Sequence, residues 1–394
     1  MPTNQATIPK NWQQVKLGDH IKFQGGNAFK AFDYKHEGVP LVRIGNVGKG
    51  KFVGNNFVFL PKEFIKKNEQ VILNDGDILM GMTGDLGKVC RIYKNNLPAL
   101  LNQRVGRVLF RDNKVDVGFL FNIFLSHNFQ NRLASFFTGA AQKNISSSQV
   151  ESIEILLPPL PEQQKIAEIL ESVDEEIDSV NSEIVKSEKL KRGLMEEFFK
   201  RRKEKGEKKK LGEIIEIESG QVDPKIFPYK NMILIAPNHI ESDSRTILGK
   251  FTANQQNAIS GKYFAKKGDV IYSKIRPYLK KVAMAQEDCL CSADMYPIRG
   301  KKETINKFLF YLLLSKDFTD YAISASSRTG IPKINREELN EYKLLLPSLE
   351  GQKQIAEILS AVDDKIQITK QLKNKLVQLK KGLMEDLLSG VTCV

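Results

Sequence analysis

Arginine, lysine, asparagine and glutamine side chains are grouped in three turn-rich stretches of the first half of the chain, at residues 81–91, 102–107 and 139–147. On exposed loops these side chains can match the edges of purine bases with paired hydrogen bonds. The sequence therefore predicts nucleic-acid contacts here. The candidate residues are Thr83, Lys88, Arg91, Asn102, Gln103, Arg104, Arg107, Lys143 and Asn144.

The second half offers a matching set in residues 273–281 and 326–333. Tyr278 adds a ring that could stack on a base or pack on a sugar. For any single candidate, solvation or phosphate contact is an equally good interpretation, because phosphate contacts usually outnumber base contacts. The candidate residues are Lys274, Arg276, Tyr278, Lys280, Lys281, Arg328 and Lys333.

Enzymatic chemistry finds little support in the sequence. Residues 81–88 depart from the GxxxxGK(S/T) phosphate loop at Met82, and Val89 follows the lysine where Ser or Thr is required. The four histidines are scattered without an HExxH pattern, and the four cysteines include no CxxC pair. We predict no catalytic, cofactor-binding or metal-binding residue in this chain.

Composition favours an anionic partner. The chain has 60 lysines and arginines against 47 acidic residues, which gives a formal charge of +13. Nucleic acid is the first candidate, and an ordinary basic soluble protein is the alternative. The apolar runs are too short to span a bilayer and no secretion signal is visible, so we expect a cytoplasmic protein without a membrane partner.

One segment occurs twice in the sequence, at residues 157–199 and 346–388. The copies align without a gap, because Ile166 pairs with Ile355 and Gly193 with Gly382 (355 − 166 = 382 − 193 = 189). Both copies contain the block IAEIL. Amphipathicity alone does not reproduce identical blocks, so the chain has an internal repeat.

Each copy is predicted to form one long helix that begins after prolines, and Gly390 follows the second helix. Apolar residues recur in alternating steps of four and three, which is typical of a coiled-coil seam. We expect the seams to pack on each other antiparallel. The seam residues are Ile166, Leu170, Val173, Ile177, Val180 and Ile184 in one helix and Ile355, Leu359, Val362 and Ile366 in the other. Leu190, Leu194 and Phe198, and Leu372, Leu376, Leu379, Leu383 and Leu387, are predicted to continue them.

Three further landmarks recur outside the helices. LGD and LGE open the two halves in strand-like stretches, GDIL and GDVI predict short buried strands, and FLFNIFL and FLFYLLL predict buried helices. The fold class is therefore α+β, with two tandem mixed-sheet domains separated by two long paired helices and related by a pseudo-two-fold. The predicted boundaries are 1–156 and 207–345 for the domains, and 157–206 and 346–390 for the helical regions.

Between these landmarks the two halves differ widely. A shared scaffold with unlike loops suggests the same task on two targets, as when dimeric DNA-binding proteins place one module on each half-site. A helix of about 37 residues would be roughly 55 Å long and could hold the modules about one DNA turn apart. The basic segment 200–210 could contact phosphate, or it could be a solvated tether.

These features make the chain resemble the specificity (S) subunits of type I restriction–modification systems. The residues that carry the resemblance are LPPLPEQQKIAEIL and LPSLEGQKQIAEIL, KRGLMEEFF and KKGLMEDLL, and the LGD/LGE and GDIL/GDVI pairs. They cover the chain from about Trp12 to Gly390. One departure is that Glu350–Gly351 replaces Pro161–Glu162 at the entry to the second helix.

The resemblance implies that each variable domain is a target-recognition domain that reads one half of a bipartite, asymmetric site in double-stranded DNA. The helices would set the gap and dock two methyltransferase (M) subunits, and restriction (R) subunits would join the larger complex. The chain itself would be non-catalytic and without a cofactor. S-adenosylmethionine is expected in the M subunits, and ATP and Mg²⁺ in the R subunits.

Two other hypotheses remain open from the residues alone. The chain could itself be a nuclease or methyltransferase with an unrecognised site, which methyl transfer by the isolated chain would establish. It could also be a coiled-coil scaffold without DNA contact, which predicts no sequence-dependent retention on DNA.

Overall fold

The chain folds into two compact units, each built from one variable region and part of both long helices. The structure is a computed structural model that describes residues 9–84, 87–136, 144–199, 207–244, 246–326, 330–392 and 394, and the backbone of 200–201. Unit 1 comprises Met1–Val180 and Leu372–Val394, and unit 2 comprises Asn181–Gln371.

The elements of unit 1 alternate short strands with short helices before the first long helix begins. They are β1 (Gln13–Lys16), α1 (Leu17–His20), β2 (Ile21–Gly25), β3 (Val39–Val42), β4 (Val58–Leu60), α2 (Phe64–Lys67), β5 (Ile78–Gly81), β6 (Val89–Arg91), β7 (Leu100–Leu101), β8 (Val105–Phe110), α3 (Val117–Leu125), α4 (His127–Ser135), α5 (Ser147–Glu151), β9 (Glu154–Leu157) and α6 (Leu160–Glu196), which continues as a π-helical turn at Glu197–Arg201.

Unit 1 contains a four-stranded main sheet in the order β2-β8-β5-β6, which is antiparallel throughout. A three-stranded small sheet has the order β4-β3-β7, with β3 and β7 parallel. β1 pairs with β9 beside them. The helix predicted around FLFNIFL is α3, which buries Phe119 and Phe124 in the core with the start of α6.

Unit 2 repeats this order of elements, except that its described residues have no counterpart of α2. They are β10 (Glu207–Lys210), α7 (Leu211–Ile214), β11 (Ile215–Ile217), β12 (Leu234–Ile235), β13 (Tyr263–Ala265), β14 (Val270–Ser273), β15 (Val282–Met284), β16 (Cys289–Cys291), β17 (Met295–Gly300), α8 (Asn306–Leu314), α9 (Lys316–Ala325), α10 (Arg336–Asn340), β18 (Lys343–Leu346) and α11 (Leu349–Ser389).

The main sheet of unit 2 has the order β11-β17-β14-β15, again antiparallel, and β10 pairs with β18. The small sheet differs between the units. In unit 1 its central strand is β3, the first of the three in the chain, whereas in unit 2 its central strand is β16, the last of the three, which pairs with both β12 and β13. The predicted strands at GDIL and GDVI are β5 and β14, which are fully buried. The two units therefore share the main sheet and diverge in the small sheet.

A buried glutamine fixes the start of each long helix to its unit. Gln163 is 1% exposed; its side-chain amide donates to the carbonyls of Lys114 and Pro158 at 2.9 and 2.8 Å, and its Oε1 accepts from the N–H of Asp116 at 2.8 Å. Gln352 is fully buried and makes the same three contacts with residues 189 positions later. The repeat is thus expressed in contacts as well as in sequence.

The long helices run antiparallel within each unit. In unit 1 Lys380 Nζ lies 2.6 Å from both carboxylate oxygens of Asp174, and in unit 2 Lys191 Nζ lies 2.8 Å from Asp363 Oδ1. Asp174 and Asp363 are equivalent in the repeat, as are Lys191 and Lys380. The same ion pair therefore forms twice with the roles of the helices exchanged, which a repeated helix packed antiparallel on its own copy requires.

All ten residues first predicted to form the helix seam are half-buried or buried. Val173, Ile177 and Val362 are half-buried and the other seven are buried. The predicted continuation is wrong at Leu190, Leu372 and Leu379, which are 54%, 44% and 52% exposed. The regular spacing continues at these positions, but the described residues of either unit leave a large part of each side chain open to solvent.

The strand-like stretches that contain LGD and LGE are not single strands. A one-turn helix, α1 or α7, interrupts each of them, and its first residue, Leu17 or Leu211, is buried. The N–H of Leu17 donates to the carbonyl of Ile153, and that of Leu211 to the carbonyl of Tyr342, both beyond the reach of local sequence patterns. Each turn thereby joins the two-stranded pair to the main sheet.

The basic segment after the first long helix is only partly a tether. Residues 202–206 lie outside the described residues, but 207–210 form β10 and pair with β18. Lys209 and Lys210 contact Glu207 and Glu341, each at 2.8 Å.

Across the described ranges, none of the helices is both long and apolar enough to cross a membrane. After α11, Gly390 adopts a φ of +74°, a left-handed conformation suited to ending a helix.

Candidate nucleic-acid interface

Three separate segments of unit 1 meet where β5 ends and β8 begins, next to the two central strands of the main sheet, and we call this place the junction of unit 1. Met82, just after β5, donates its N–H to the carbonyl of Arg104 at 3.0 Å and accepts from the N–H of Ile145 at 3.0 Å. Thr83 forms a β-bridge with Asn144. The junction therefore brings together members of all three predicted contact stretches, which are up to about sixty residues apart in the chain.

Unit 2 builds the same junction from equivalent positions. Lys274, just after β14, donates its N–H to the carbonyl of Asp294 at 3.0 Å and accepts from the N–H of Ile334 at 2.9 Å. Ile275 forms a β-bridge with Lys333. Both predicted stretches of unit 2 thus meet here.

The junction of unit 1 presents neutral polar groups and one arginine. Gln103, Arg104 and Asn144 are exposed, whereas Thr83 is half-buried. The carbonyl of half-buried Lys88 accepts from the N–H of Gly81 at 3.0 Å. Amide side chains carry both a donor and an acceptor, so this surface can match base edges as well as phosphates. Lys143 lies outside the described residues.

Arg107 is wrongly included in the predicted contact set, because it is a structural residue of the main sheet. Its side chain is 7% exposed and lies 3.2 Å from Asp77. It also donates to Gln24 Oε1 at 2.6 Å and to the carbonyls of Ile72 and Gln70 at 2.5 and 3.0 Å. Because both terminal nitrogens of Arg107 donate to internal acceptors and its Nε is buried, the side chain has no free edge to offer a base.

Asn102 and Arg91 also fit a structural role better than a contact role. Asn102 is 8% exposed, and its Oδ1 accepts from the N–H of Arg104 at 3.4 Å. The Arg91 side chain is 18% exposed; its guanidinium lies 5.5 Å from the centre of the Phe121 ring and 3.9 Å from Glu171 on α6. In both cases the partners include residues distant in sequence, because the N–H of Asn102 also donates to the carbonyl of Val42 at 3.0 Å and Arg91 contacts Phe121 and Glu171.

The junction of unit 2 is cationic and aromatic. Lys274 Nζ lies 5.2 Å from the centre of the Tyr296 ring, and the guanidinium of Arg336 lies 5.1 Å from the same ring and 5.6 Å from that of Tyr263. Burial lowers the pKa of Lys274, and the nearby charge of Lys333 lowers it further. An anion placed here would relieve that repulsion, so the arrangement suits a phosphate.

The adjoining loop of unit 2 is held in an unusual backbone conformation. Arg276 and Lys280 have φ values of +49° and +47°, on either side of a 3-10 turn at Pro277–Leu279. Arg276 and Tyr278 are exposed, Tyr278 to 53%, whereas Lys280 Nζ lies 3.5 Å from Asp243. The left-handed residues turn the loop so that Arg276 and Tyr278 face solvent and are available to a partner.

Lys281 does not belong with the exposed candidates. Its Nζ donates to the carbonyl of Pro237 at 2.7 Å, which ties the loop to the small sheet side of unit 2. Arg328 lies outside the described residues. Lys333 is exposed, and its pairing with Ile275 fixes it beside Lys274.

Sequence reasoning missed the cation and the ring at the centre of the unit 2 junction. Arg336 begins α10 and donates to the carbonyls of Ile217 and Glu218, and Tyr296 lies within β17. Neither stands in a turn-rich stretch. An aromatic residue in a strand normally indicates core, so only the fold reveals that two cations contact the Tyr296 ring.

The described residues show no arrangement typical of covalent or metal chemistry. No group of three or more His, Cys, Asp or Glu side chains within the described ranges could hold a metal ion. Burial raises the pKa of Cys90 and of Cys289 to about 12, and that of Cys291 well above its ordinary value. These thiols therefore stay protonated and are poor nucleophiles.

Comparison with known proteins agrees with the duplicated architecture. The family described as the type I restriction modification DNA specificity domain matches twice, at residues 9–187 and 203–378. A crystal structure of a type I restriction–modification S subunit from M. genitalium shares the fold, with a TM-score of 0.63, 16% identity and 98% of each chain covered.

Two curated relatives are more similar in sequence over shorter stretches. The specificity subunit of the type I restriction enzyme MjaVIII from Methanocaldococcus jannaschii is 36% identical over 48% of this chain and 45% of its own length. That of EcoDI from Escherichia coli is 45% identical over 38% of this chain and 34% of its own length. The chain thus matches less than half the length of either relative. Because the family match covers most of the chain in two copies, the chain belongs to the family of type I restriction modification DNA specificity proteins.

Proposed function

We propose that this chain is the DNA-specificity subunit of a type I restriction–modification enzyme, in which each unit reads one half of a bipartite, asymmetric site in double-stranded DNA. The observation that carries the proposal is the junction, which is built twice on the same backbone contacts and carries different side chains each time. A scaffold repeated with unlike surfaces suits two unlike half-sites.

Charge supports DNA as the ligand. The chain carries a formal charge of +13, and the unit 2 junction holds Lys274, Lys333 and Arg336 close together. Lysines and arginines that neutralise phosphates release counterions, which provides much of the affinity for duplex DNA. The unit 1 junction, by contrast, carries the amide groups expected of base recognition.

The long helices supply the spacer and the docking surface in this proposal. α6 has 37 residues and α11 has 41, which corresponds to about 55 and 60 Å of helix. In each unit the helices leave apolar side chains exposed: Leu372, Val377 and Leu379 in unit 1, and Val185, Leu190, Ile358 and Ile368 in unit 2. Such exposed apolar residues favour protein partners, which we take to be two M subunits.

Catalysis belongs to the partner subunits in this proposal. S-adenosylmethionine would bind the M subunits, and ATP and Mg²⁺ would bind R subunits in the full complex. The role proposed for this chain is recognition.

Sequencing of DNA methylation in the source cell, with and without this chain, tests the proposal. We expect one motif made of two short halves and an unread gap to lose its methylation when the chain is deleted and to regain it on complementation. A methylation pattern unchanged by deletion would contradict the proposal, and so would loss of a continuous motif without a gap.

A further inference from the structure

A polar cleft lies beside the junction of unit 1 and is not explained by the fold. It has a volume of about 580 Å³ and is lined on its polar side by Arg43, Asn55, Asn56, Gln103 and Arg104. Only Gln103 and Arg104 belong to the stretches singled out from the sequence. The other three come from the end of β3 and the turn before β4, so the fold assembles the set from three separate segments.

A buried asparagine holds this cleft in shape. Asn46 is 2% exposed, and its Oδ1 accepts from the N–H of Arg43 at 3.0 Å. Its amide group donates to the carbonyls of Val53 and Asn55 at 3.0 and 3.3 Å. Asn56 follows with a φ of +59°, a left-handed conformation that asparagine tolerates better than most residues. The cleft walls are thus fixed to one another before any ligand arrives.

The charged groups of the cleft have unused hydrogen-bonding capacity. The Arg43 guanidinium lies 6.0 Å from the centre of the Tyr34 ring, and its Nε is buried without a hydrogen-bond partner. Neither Arg43 nor Arg104 forms a salt bridge with a carboxylate of the described ranges. Arg107, three residues after Arg104, differs because its Nη1 and Nη2 donate to internal acceptors, although its Nε, like that of Arg43, is buried without a hydrogen-bond partner. Two arginines with open donors, beside amide side chains, form a surface ready for an acceptor-rich ligand.

We propose that this polar cleft reads the edges of purine bases in the half-site contacted by unit 1, a proposal that rests on the DNA-specificity function above. An arginine donates two hydrogen bonds to the O6 and N7 acceptors of guanine, and an asparagine or glutamine pairs with the N6–H₂ donor and N7 acceptor of adenine. A site for phosphate alone would need donors only. The three amides of the cleft also supply acceptors.

Unit 2 lacks this surface at the equivalent backbone positions. There Ala236 donates its N–H to His239 Nδ1 at 3.2 Å, as Arg43 does to Asn46. Asp294 takes the place of Arg104 in the junction, and Ala293 precedes it where unit 1 has Gln103. The cleft chemistry is therefore a property of one unit, and its loss should affect only one half of the recognised site.

The test has two measurements. The first is the methylated motif in a host that expresses the full chain with its methyltransferase subunits. The second is the affinity of that complex for the cognate duplex and for duplexes with one base pair changed. The variants are Gln103→Ala, Arg104→Ala and Asn55→Ala, all at exposed positions. The matched control is Lys66→Ala, an exposed position in α2 of the same unit.

We expect each cleft variant to reduce discrimination at one or two purine positions of a single half by about 10- to 100-fold, with the other half unchanged. The control should keep the wild-type motif. Thermal unfolding of the complexes separates this outcome from misfolding, because the exposed variants should melt with the wild type.

Three results would overturn the inference. An unchanged motif and unchanged discrimination in all three variants would remove the cleft from base recognition. A uniform loss of affinity on every duplex at unchanged melting temperature would make it a phosphate contact. A wild-type complex without any two-part motif would instead refute the proposed function, and the inference with it.

Discussion

The junctions of unit 1 and unit 2 share every backbone contact described above and almost none of the side chains. Where unit 1 has Met82 and Arg104, unit 2 has Lys274 and Asp294, in the same N–H to carbonyl hydrogen bond. The replacement of Arg104 by Asp294 reverses the charge at that position, and it is accompanied by the replacement of Met82, its hydrogen-bond partner, by Lys274. Backbone hydrogen bonds do not depend on side-chain identity, so the junction can be held constant while the surface is replaced.

The interior of the two units shows the same contrast in a milder form. In the main sheet, Tyr272 pairs with Tyr296 in unit 2, and at the corresponding register Met80 pairs with Gly106 in unit 1. A Cβ on Gly106 would lie 2.0 Å from a ring carbon of Phe23, so unit 1 has no room for the aromatic platform of unit 2. The unlike surfaces are therefore supported by unlike packing beneath them.

The largest difference in stability is expected at the arginine–aspartate pair of each main sheet. Arg107→Ala leaves Asp77 and several buried acceptors without a donor, and we expect it to destabilise unit 1 by about 3–5 kcal/mol. Arg299 holds Asp269 with two hydrogen bonds of 2.8 and 2.7 Å. The Asp269 side chain is 2% exposed, so Arg299→Ala also strands a buried carboxylate, but Arg299 is itself 32% exposed and water can enter the space that it leaves. Arg107 in addition donates to the carbonyls of Ile72 and Gln70, so we expect Arg299→Ala to cost unit 2 less than Arg107→Ala costs unit 1.

Hydrogen exchange of the strand amides, read separately for each unit, measures both effects. Arg104→Ala is the matched control in unit 1, because Arg104 is exposed and should leave exchange unchanged. Equal destabilisation by Arg107→Ala and Arg104→Ala would show that the distinction between structural and surface arginines is wrong.

The sequence could predict the repeated scaffold but not which arginine of NQRVGR faces solvent. The long helices, β5, β14 and the two buried helices follow from local periodicity and were predicted. Arg104 and Arg107 differ only because β8 pairs with β5 and brings Arg107 to Asp77, thirty residues away. Burial created by such distant pairing leaves no trace in the local pattern.

The same limit explains the helix seam. The 4–3 spacing continues through Leu190, Leu372 and Leu379, yet these residues are exposed. A heptad pattern indicates which face is apolar, but it cannot indicate whether this chain or a partner covers that face. Likewise, Arg43 and Asn55 join the polar cleft through hydrogen bonds with Asn46 that a pattern of apolar residues does not reveal.

Removing the buried glutamine at a helix start should affect the two units equally. Gln163→Ala or Gln352→Ala leaves three buried backbone groups without their partners, and we expect each to cost about 2–4 kcal/mol. Exchange of the amides at the start of α6 and of α11 provides the measurement. Gln149→Ala, in a partly exposed capping position of α5, is a milder control. A large effect in only one unit would show that the scaffold is not energetically repeated.

The free energy lost on removing the interhelical ion pair should differ between the two units. In unit 2 the Asp363 side chain is 7% exposed and also accepts from the Tyr311 hydroxyl at 2.9 Å, so Lys191→Met strands a buried carboxylate. In unit 1 the Asp174 side chain is 44% exposed and can be hydrated. We expect about 2 kcal/mol of destabilisation for Lys191→Met and less than about 1 kcal/mol for Lys380→Met.

Helix amide exchange near each pair decides that prediction. The double variant Lys191→Met with Asp363→Leu should recover most of the loss, because it removes the unpaired charge together with its partner. Identical costs for the two single lysine variants would mean that burial of the aspartate does not control the strength of the pair.

The smallest effect on stability, and the one that links stability to function, is expected at Lys274. Its lowered pKa means that the folded state releases this proton more readily than the unfolded state, in which the ordinary value is 10.5. The unfolded state therefore binds more protons just below pH 10.5, and stability contributed by this site rises with pH there and is reduced at neutral pH. Lys274→Met, which installs the residue that unit 1 carries at position 82, should slightly stabilise unit 2 and remove this pH dependence.

The same substitution should weaken DNA binding, because a cation of the proposed phosphate site is lost. We expect the slope of log affinity against log salt to become shallower by about one. Lys302→Met, at an exposed position of unit 2, controls for the change in net charge. A variant that gained stability while keeping the wild-type salt slope would place Lys274 off the DNA surface. A variant that lost stability would contradict the stability prediction and show that the Lys274 charge is satisfied within the fold, whereas a shallower slope would still assign Lys274 to the DNA surface.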